Sequence, residues 1–139
     1  MHSIPTFPAK KPKKIHFRVN LINLESLNPN LIFSLIPLGE DAVLEVRFCA
    51  DPLPEQLWHL GETGDNMILA AGSRHKRFVV NTVRKLKEDC YISTLRILDV
   101  EQADSTVYQL RLTNSHGTDM HEIRLVVRGK YECFVFLRT

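Results

Sequence analysis

The stretch from Tyr91 to Leu110, Tyr-Ile-Ser-Thr-Leu-Arg-Ile-Leu-Asp-Val-Glu-Gln-Ala-Asp-Ser-Thr-Val-Tyr-Gln-Leu, leaves the chain few architectures. Tyr91, Ser93, Leu95 and Ile97 fall on one face of an extended segment and Ile92, Thr94 and Arg96 on the other. A period of two, rich in β-branched residues, is the pattern of a half-buried strand. Asp99 to Ser105 then breaks the alternation with turn-forming acids around one apolar anchor, Val100, and Val107 to Thr113 resumes it. The expected structure is a strand, a corner and a second strand.

A second alternation fixes a register. After the turn signal Gly39-Glu40-Asp41, residues Ala42, Leu44, Val46 and Phe48 share one face while Val43, Glu45, Arg47 and Cys49 share the other. The even-numbered face is the core face, because a slip that brought Cys49 inward would turn Leu44, Val46 and Phe48 to solvent. Further extended segments are expected over Ile15–Leu24 and Leu31–Leu38, around Trp58, over Met67–Ala71, and from Arg77-Phe78-Val79-Val80. Thr82–Asp89 reads as a charged hairpin, and Asn114-Ser115-His116-Gly117 as a hairpin turn into Met120–Val127, with Ile123, Leu125 and Val127 inward and Glu122, Arg124 and Val126 outward. With 139 residues, 44% of them hydrophobic, the chain suits one domain with a buried core.

The order Leu95-x-Ile97-x-x-Val100-x-x-x-Asp104-Ser105-x-x-Tyr108-x-Leu110 resembles the E–F corner of an immunoglobulin domain, and the whole of residues 15–128 is similar to the intermediate, or I-set, type found in cell-adhesion receptors. The resemblance implies an all-β, two-sheet Greek-key sandwich. It also implies that Tyr108 returns its hydroxyl to the backbone upstream, that Trp58, twelve residues after Val46, is the buried core tryptophan, and that Arg77 pairs with Asp104 across the corner. Leu112, Asn114 and Gly117 match the family's signature between strands F and G. The expected structural core is Val46, Trp58, Leu95, Ile97, Tyr108 and Leu110.

One departure stands out. The family's two bridged core positions are here Val46 and Leu110, so the B–F disulfide is absent and no disulfide is expected. Cys49, Cys90 and Cys133 are odd in number and, with the strand phases placing Cys49 and Cys90 outward, are expected as three free thiols.

The formal charge of +2 is unevenly placed. Residues 1–14 hold Lys10, Lys11, Lys13 and Lys14 with Pro5, Pro8 and Pro12 and read as a flexible lead-in, while the remainder is slightly acidic. Without interleaved aromatics the lysine cluster is a solvated leader, and no nucleic-acid partner is expected. Residues 129–139 form a C-terminal extension with Tyr131, Phe134, Val135, Phe136 and Leu137, too few apolar residues to span a bilayer, which takes roughly 18 in succession. No signal peptide, Asn-x-Ser/Thr acceptor or membrane insertion is read in this segment.

Catalytic constellations are missing too. There is no Gly-x-Ser-x-Gly elbow, no phosphate-binding glycine loop, and no His or Cys spacing suited to a metal, so no enzyme, cofactor or metal is expected. Met67 and Met120, with Phe48, Trp58 and Tyr108, sit at strand spacing and are expected to fill the core.

What remains is binding. By resemblance, the chain is expected to be a protein-binding module, an adhesion or recognition domain of a cell-surface receptor on the extracellular side, with neighbouring immunoglobulin domains in a longer parent chain and a homophilic or heterophilic protein partner. The outward face of the sheet carrying strands C, F and G, with Leu57, His59, Gln109, Arg111, Glu122 and Arg124, is the expected contact surface. The alternative is a cytoplasmic structural domain of a muscle or cytoskeletal filament, which the expected free thiols would suit.

Overall fold

Eleven strands form among the described residues of the computed structural model, which are 33–129 and the strand backbone of His16–Val19. The lead-in over 1–14 and nearly all of the extension from residue 129 onward lie outside them, as does Cys133. In chain order the strands are β1 (His16–Val19), β2 (Phe33–Pro37), β3 (Ala42–Cys49), β4 (Glu55–His59), β5 (Ile68–Ala70), β6 (Arg74–His75), β7 (Phe78–Val80), β8 (Arg84–Lys87), β9 (Cys90–Ile97), β10 (Val107–Asn114) and β11 (Gly117–Arg128).

They make two sheets. One runs β1-β3-β9-β7-β6, with β8 also paired to β9; the other runs β2-β11-β10-β4-β5, with β2 parallel to β11. Both expose one side, which is why strands such as β3 and β10 alternate buried and more open residues instead of reading as continuous apolar runs.

Between the sheets, Val46, Trp58, Leu95, Ile97, Tyr108 and Leu110 are each completely buried. The even-numbered face of β3 turns inward, as Ala42, Leu44, Val46 and Phe48 are all at or near zero exposure. Trp58 on one sheet donates its indole N–H to Ser93 Oγ on the other at 2.8 Å, and Ser93 is the pairing partner of Val46. A buried polar ring atom thus finds its partner across the interlayer gap, beside the family's usual bridge positions.

The corner after β9 is polar and inward. Asp104, in a short 3-10 turn (Gln102–Asp104), is completely buried and accepts from Arg77 Nη1 at 2.8 Å and Nη2 at 3.0 Å, and from the backbone N–H of Glu101 at 2.8 Å. The carboxylate hydrogen bonds hold the Arg77 pKa above its ordinary value. Tyr108 donates its hydroxyl to the backbone carbonyl of Asp104 at 2.8 Å.

Burial pushes the Tyr108 phenol up to about 12. The folded state therefore favours the neutral ring, and this contribution is complete below pH 10 and lost as pH rises from 10 to 12, about 3 kcal/mol in all. In urea titrations, Tyr108→Phe is expected to be less stable near neutral pH and to show a flatter loss of stability above pH 10; parallel pH profiles would contradict this.

Two expectations are corrected. Cys49 and Cys90 form a disulfide. Both do lie on outer strand faces, but β3 and β9 pair antiparallel with Cys49 directly opposite Cys90, and directly opposed residues share a face at close range. The bridge lies within one sheet, with an S–S distance of 2.02 Å, while Val46 and Leu110 fill the interlayer positions. The methionines are the second correction: Met67 is 39% and Met120 51% exposed, so neither fills the core.

Candidate functional site

The outward face of the second sheet is assembled by register alone. On β10 the inward set is Tyr108, Leu110 and Leu112, leaving Val107, Gln109 and Arg111 outward. Pairing then sets two cross-strand rows side by side. One reads Glu122, Gln109, His59, Ile68 and the next Met120, Arg111, Leu57, Ala70, each running β11, β10, β4, β5. Arg124, opposite Val107, flanks the first row. All six expected contact residues therefore fall on one surface.

Its chemistry is mixed. Met120 and Ile68 are about half exposed and Leu57 half-buried between Arg111 and Ala70, so three apolar side chains are spread through the rows. Arg111, Glu122 and Arg124 are exposed around them. Gln109 Nε2 donates to Glu122 Oε1 at 2.7 Å, which holds that carboxylate against the sheet. His59 Nε2 is shielded and has no hydrogen-bond partner among the described residues. A screened imidazole nitrogen in the centre of an open face is a group that an incoming donor or acceptor can satisfy. Beyond the rows, burial lowers the pKa of His121, which keeps it neutral near pH 7.

Met120 and Ile68 were missed as members of this face. The signal for Met120 was present: it shares parity with Glu122 and Arg124 on the same strand, and parity decides the face. For Ile68 the segment Met67–Ala71 is apolar throughout, so alternation has nothing to read until β5 is known to be an edge.

Arg77 and Asp104 stand apart from this face, at the corner. Among the described residues no group of three or more His, Cys, Asp or Glu side chains is placed to hold a metal, and no helix is long and apolar enough to cross a membrane.

Among solved structures, titin domain M4 matches with a TM-score of 0.54 at 20% identity, over 81% of this chain and 95% of that one. A chain of the complex of Dpr2 Ig1-Ig2 with DIP-Theta Ig1-Ig3 matches with a TM-score of 0.60 at 18% identity, over 85% of this chain and 33% of that one. Sidekick-1 immunoglobulin domains 1-5 match with a TM-score of 0.58 at 19% identity, over 86% and 21%. The chain thus spans one module's share of the two longer proteins, and at these identities the likeness is one of fold. Residues 34–127 match the pattern of the immunoglobulin I-set domain along the length of the sandwich, so the chain belongs to the immunoglobulin I-set family.

Proposed function

We propose that this chain is a protein-binding module of a cell-surface receptor, working on the extracellular side beside other immunoglobulin domains, and that it contacts a homophilic or heterophilic protein partner through the outward face of β11, β10, β4 and β5. The observation that carries the reading is the pair of cross-strand rows, in which exposed Met120 and Ile68 and half-buried Leu57 are interleaved with Arg111, His59 and Gln109 and edged by Glu122 and Arg124. Apolar anchors within a polar surround are the composition of a modest protein interface, and an arginine stem adds apolar contact beneath its charge. The Cys49–Cys90 bridge supports the extracellular side, since structural disulfides persist in oxidising compartments, and it weighs against the cytoplasmic filament alternative.

Tagged protein offered to a panel of receptor ectodomains, itself included, tests this. The expected result is a binder whose affinity falls at least about tenfold on Leu57→Asp or Arg111→Glu, as for centrally placed contact residues, with unchanged unfolding midpoints. A binder indifferent to both substitutions contradicts the assignment of the face.

A further inference from the structure

Residues 66–87 contain six cations, Arg74, Lys76, Arg77, Arg84, Lys85 and Lys87, and no carboxylate, whereas the rest of 33–129 holds fourteen carboxylates against five Lys and Arg. The fold lines the cation-bearing part, residues 74–87, along one side of the first sheet. Since β3 occupies one side of β9 over its full length, β8 and β7, which pair with Cys90–Ile92 and Leu95–Ile97, must both lie along the other side, with β6 beyond β7. Eight residues of β9 at about 3.4 Å each make this side on the order of 25 Å long, with charge concentrated on β8 (Arg84, Lys85 and Lys87) at one end and Arg74 of β6 at the other, on either side of the apolar β7. Two of the cations are committed internally, Arg77 to Asp104 and Lys76 to Asp65 at 2.7 Å. All of β8 is exposed, including Arg84, Lys85 and Lys87.

Next to Arg84, on the outer face of the same sheet, lies a groove of about 560 Å³, in which Arg84 and Arg96, the latter already paired with Asp41 at 3.7 Å, stand with Asn81, Thr82, Thr94 and Glu45. In the same cross-strand row as Arg84, through Ile92, is Arg47, whose Nε is buried without a hydrogen-bond partner among the described residues. Guanidinium groups suit a bound oxyanion, while the amide, hydroxyl and carboxylate groups between them suit sugar hydroxyls. A cluster of exposed cations on β8, continued by such a groove, fits a linear ligand that carries both kinds of group.

We propose that this edge and groove bind a sulfated polysaccharide chain, at a site separate from the protein-binding face on the opposite sheet. The choice of a sulfated glycan over nucleic acid rests on the extracellular reading given above, and the test keeps the two failures apart.

The probe is immobilised heparin and the protein is the full chain, with Lys10, Lys11, Lys13 and Lys14 replaced by Ser so that the lead-in cannot supply the retention. This tail-neutral protein is expected to bind at about 0.15 M salt. Adding Arg84→Glu, Lys85→Glu and Lys87→Glu is expected to weaken binding at least about tenfold and to flatten the dependence of log Kd on log salt by about one for each cation removed. Ser115→Glu, His116→Glu and Thr118→Glu, on the exposed β10–β11 hairpin, are expected to change affinity less than about twofold. Asn81→Ala with Thr82→Ala, which alters no charge, is expected to cost a further few-fold and guards against a misfolded charge variant. Loss of binding on neutralising the lead-in, or equal losses from the β8 and hairpin variants, overturns the site. Equal affinity for duplex DNA overturns the glycan assignment alone, and none of these outcomes bears on the Leu57 and Arg111 variants that test the protein-binding face.

Discussion

Asp104→Ala is expected to lower the unfolding free energy by about 3–5 kcal/mol, the cost of breaking a buried ion pair from one side. The carboxylate is completely buried, and its removal takes the acceptor from the Glu101 amide at 2.8 Å and from two guanidinium bonds at 2.8 and 3.0 Å, leaving the Glu101 carboxylate at 3.4 Å as the remaining anion beside Arg77. Arg77 keeps acceptors in the backbone carbonyls of Leu98 and Asp99, at 3.0 and 3.1 Å, so part of its demand stays met. Arg77→Met is the harsher half, because it leaves a buried carboxylate without its cation. Combining Arg77→Met with Asp104→Leu removes both charges and is expected to cost less than the sum of the single changes, as groups acting as one unit do. Urea denaturation followed by the fluorescence of Trp58, the chain's one tryptophan, measures all three; single variants within about 1 kcal/mol of the parent would contradict this account of the corner.

The second large effect is expected from the disulfide. Cys49 and Cys90 are 41 positions apart, and a cross-link closing a loop of that size restricts the unfolded chain by about 4 kcal/mol. For a domain of this size, Cys49→Ala with Cys90→Ala is expected to lower Tm by on the order of 15 °C or more, and a reductant to do the same to the parent but nothing to the variant. The loop so closed contains β4 to β8, hence both the basic edge and half of the protein-binding face. Identical Tm values with and without reductant would show that the bridge carries no such stabilisation.

Most of the architecture was legible because a strand's parity is a strong constraint. Ala42 to Phe48 could face inward in only one way, and the same parity put Glu122 and Arg124 outward. The disulfide was not legible for a specific reason. Parity says which face a cysteine takes but not which residue lies opposite, and the Cys49–Cys90 contact exists only once β3 and β9 are paired in register. Nor does the segment Met67–Ala71 disclose its faces, since with no polar residue every phase looks alike, and its status as the outer strand of a sheet is a property of the assembled fold. The basic edge is half legible. The run of cations without acids from 66 to 87 is plain in the sequence, but its alignment along one side of β9 depends on the β8 and β7 pairings.

A single substitution probes the proposed face directly. Arg111→Asn completes, with Leu112 and Thr113, an acceptor for N-glycosylation at the middle of the second cross-strand row. Expressed through the secretory pathway of animal cells, the variant is expected to emerge glycosylated and folded, with its Cys49–Cys90 bridge intact, and to have lost the protein partner identified with the parent chain. A matching acceptor made on β8 by Arg84→Asn with Leu86→Thr is expected to leave that partner bound. Partner affinity that survives the glycan at position 111 would contradict the assignment of this face.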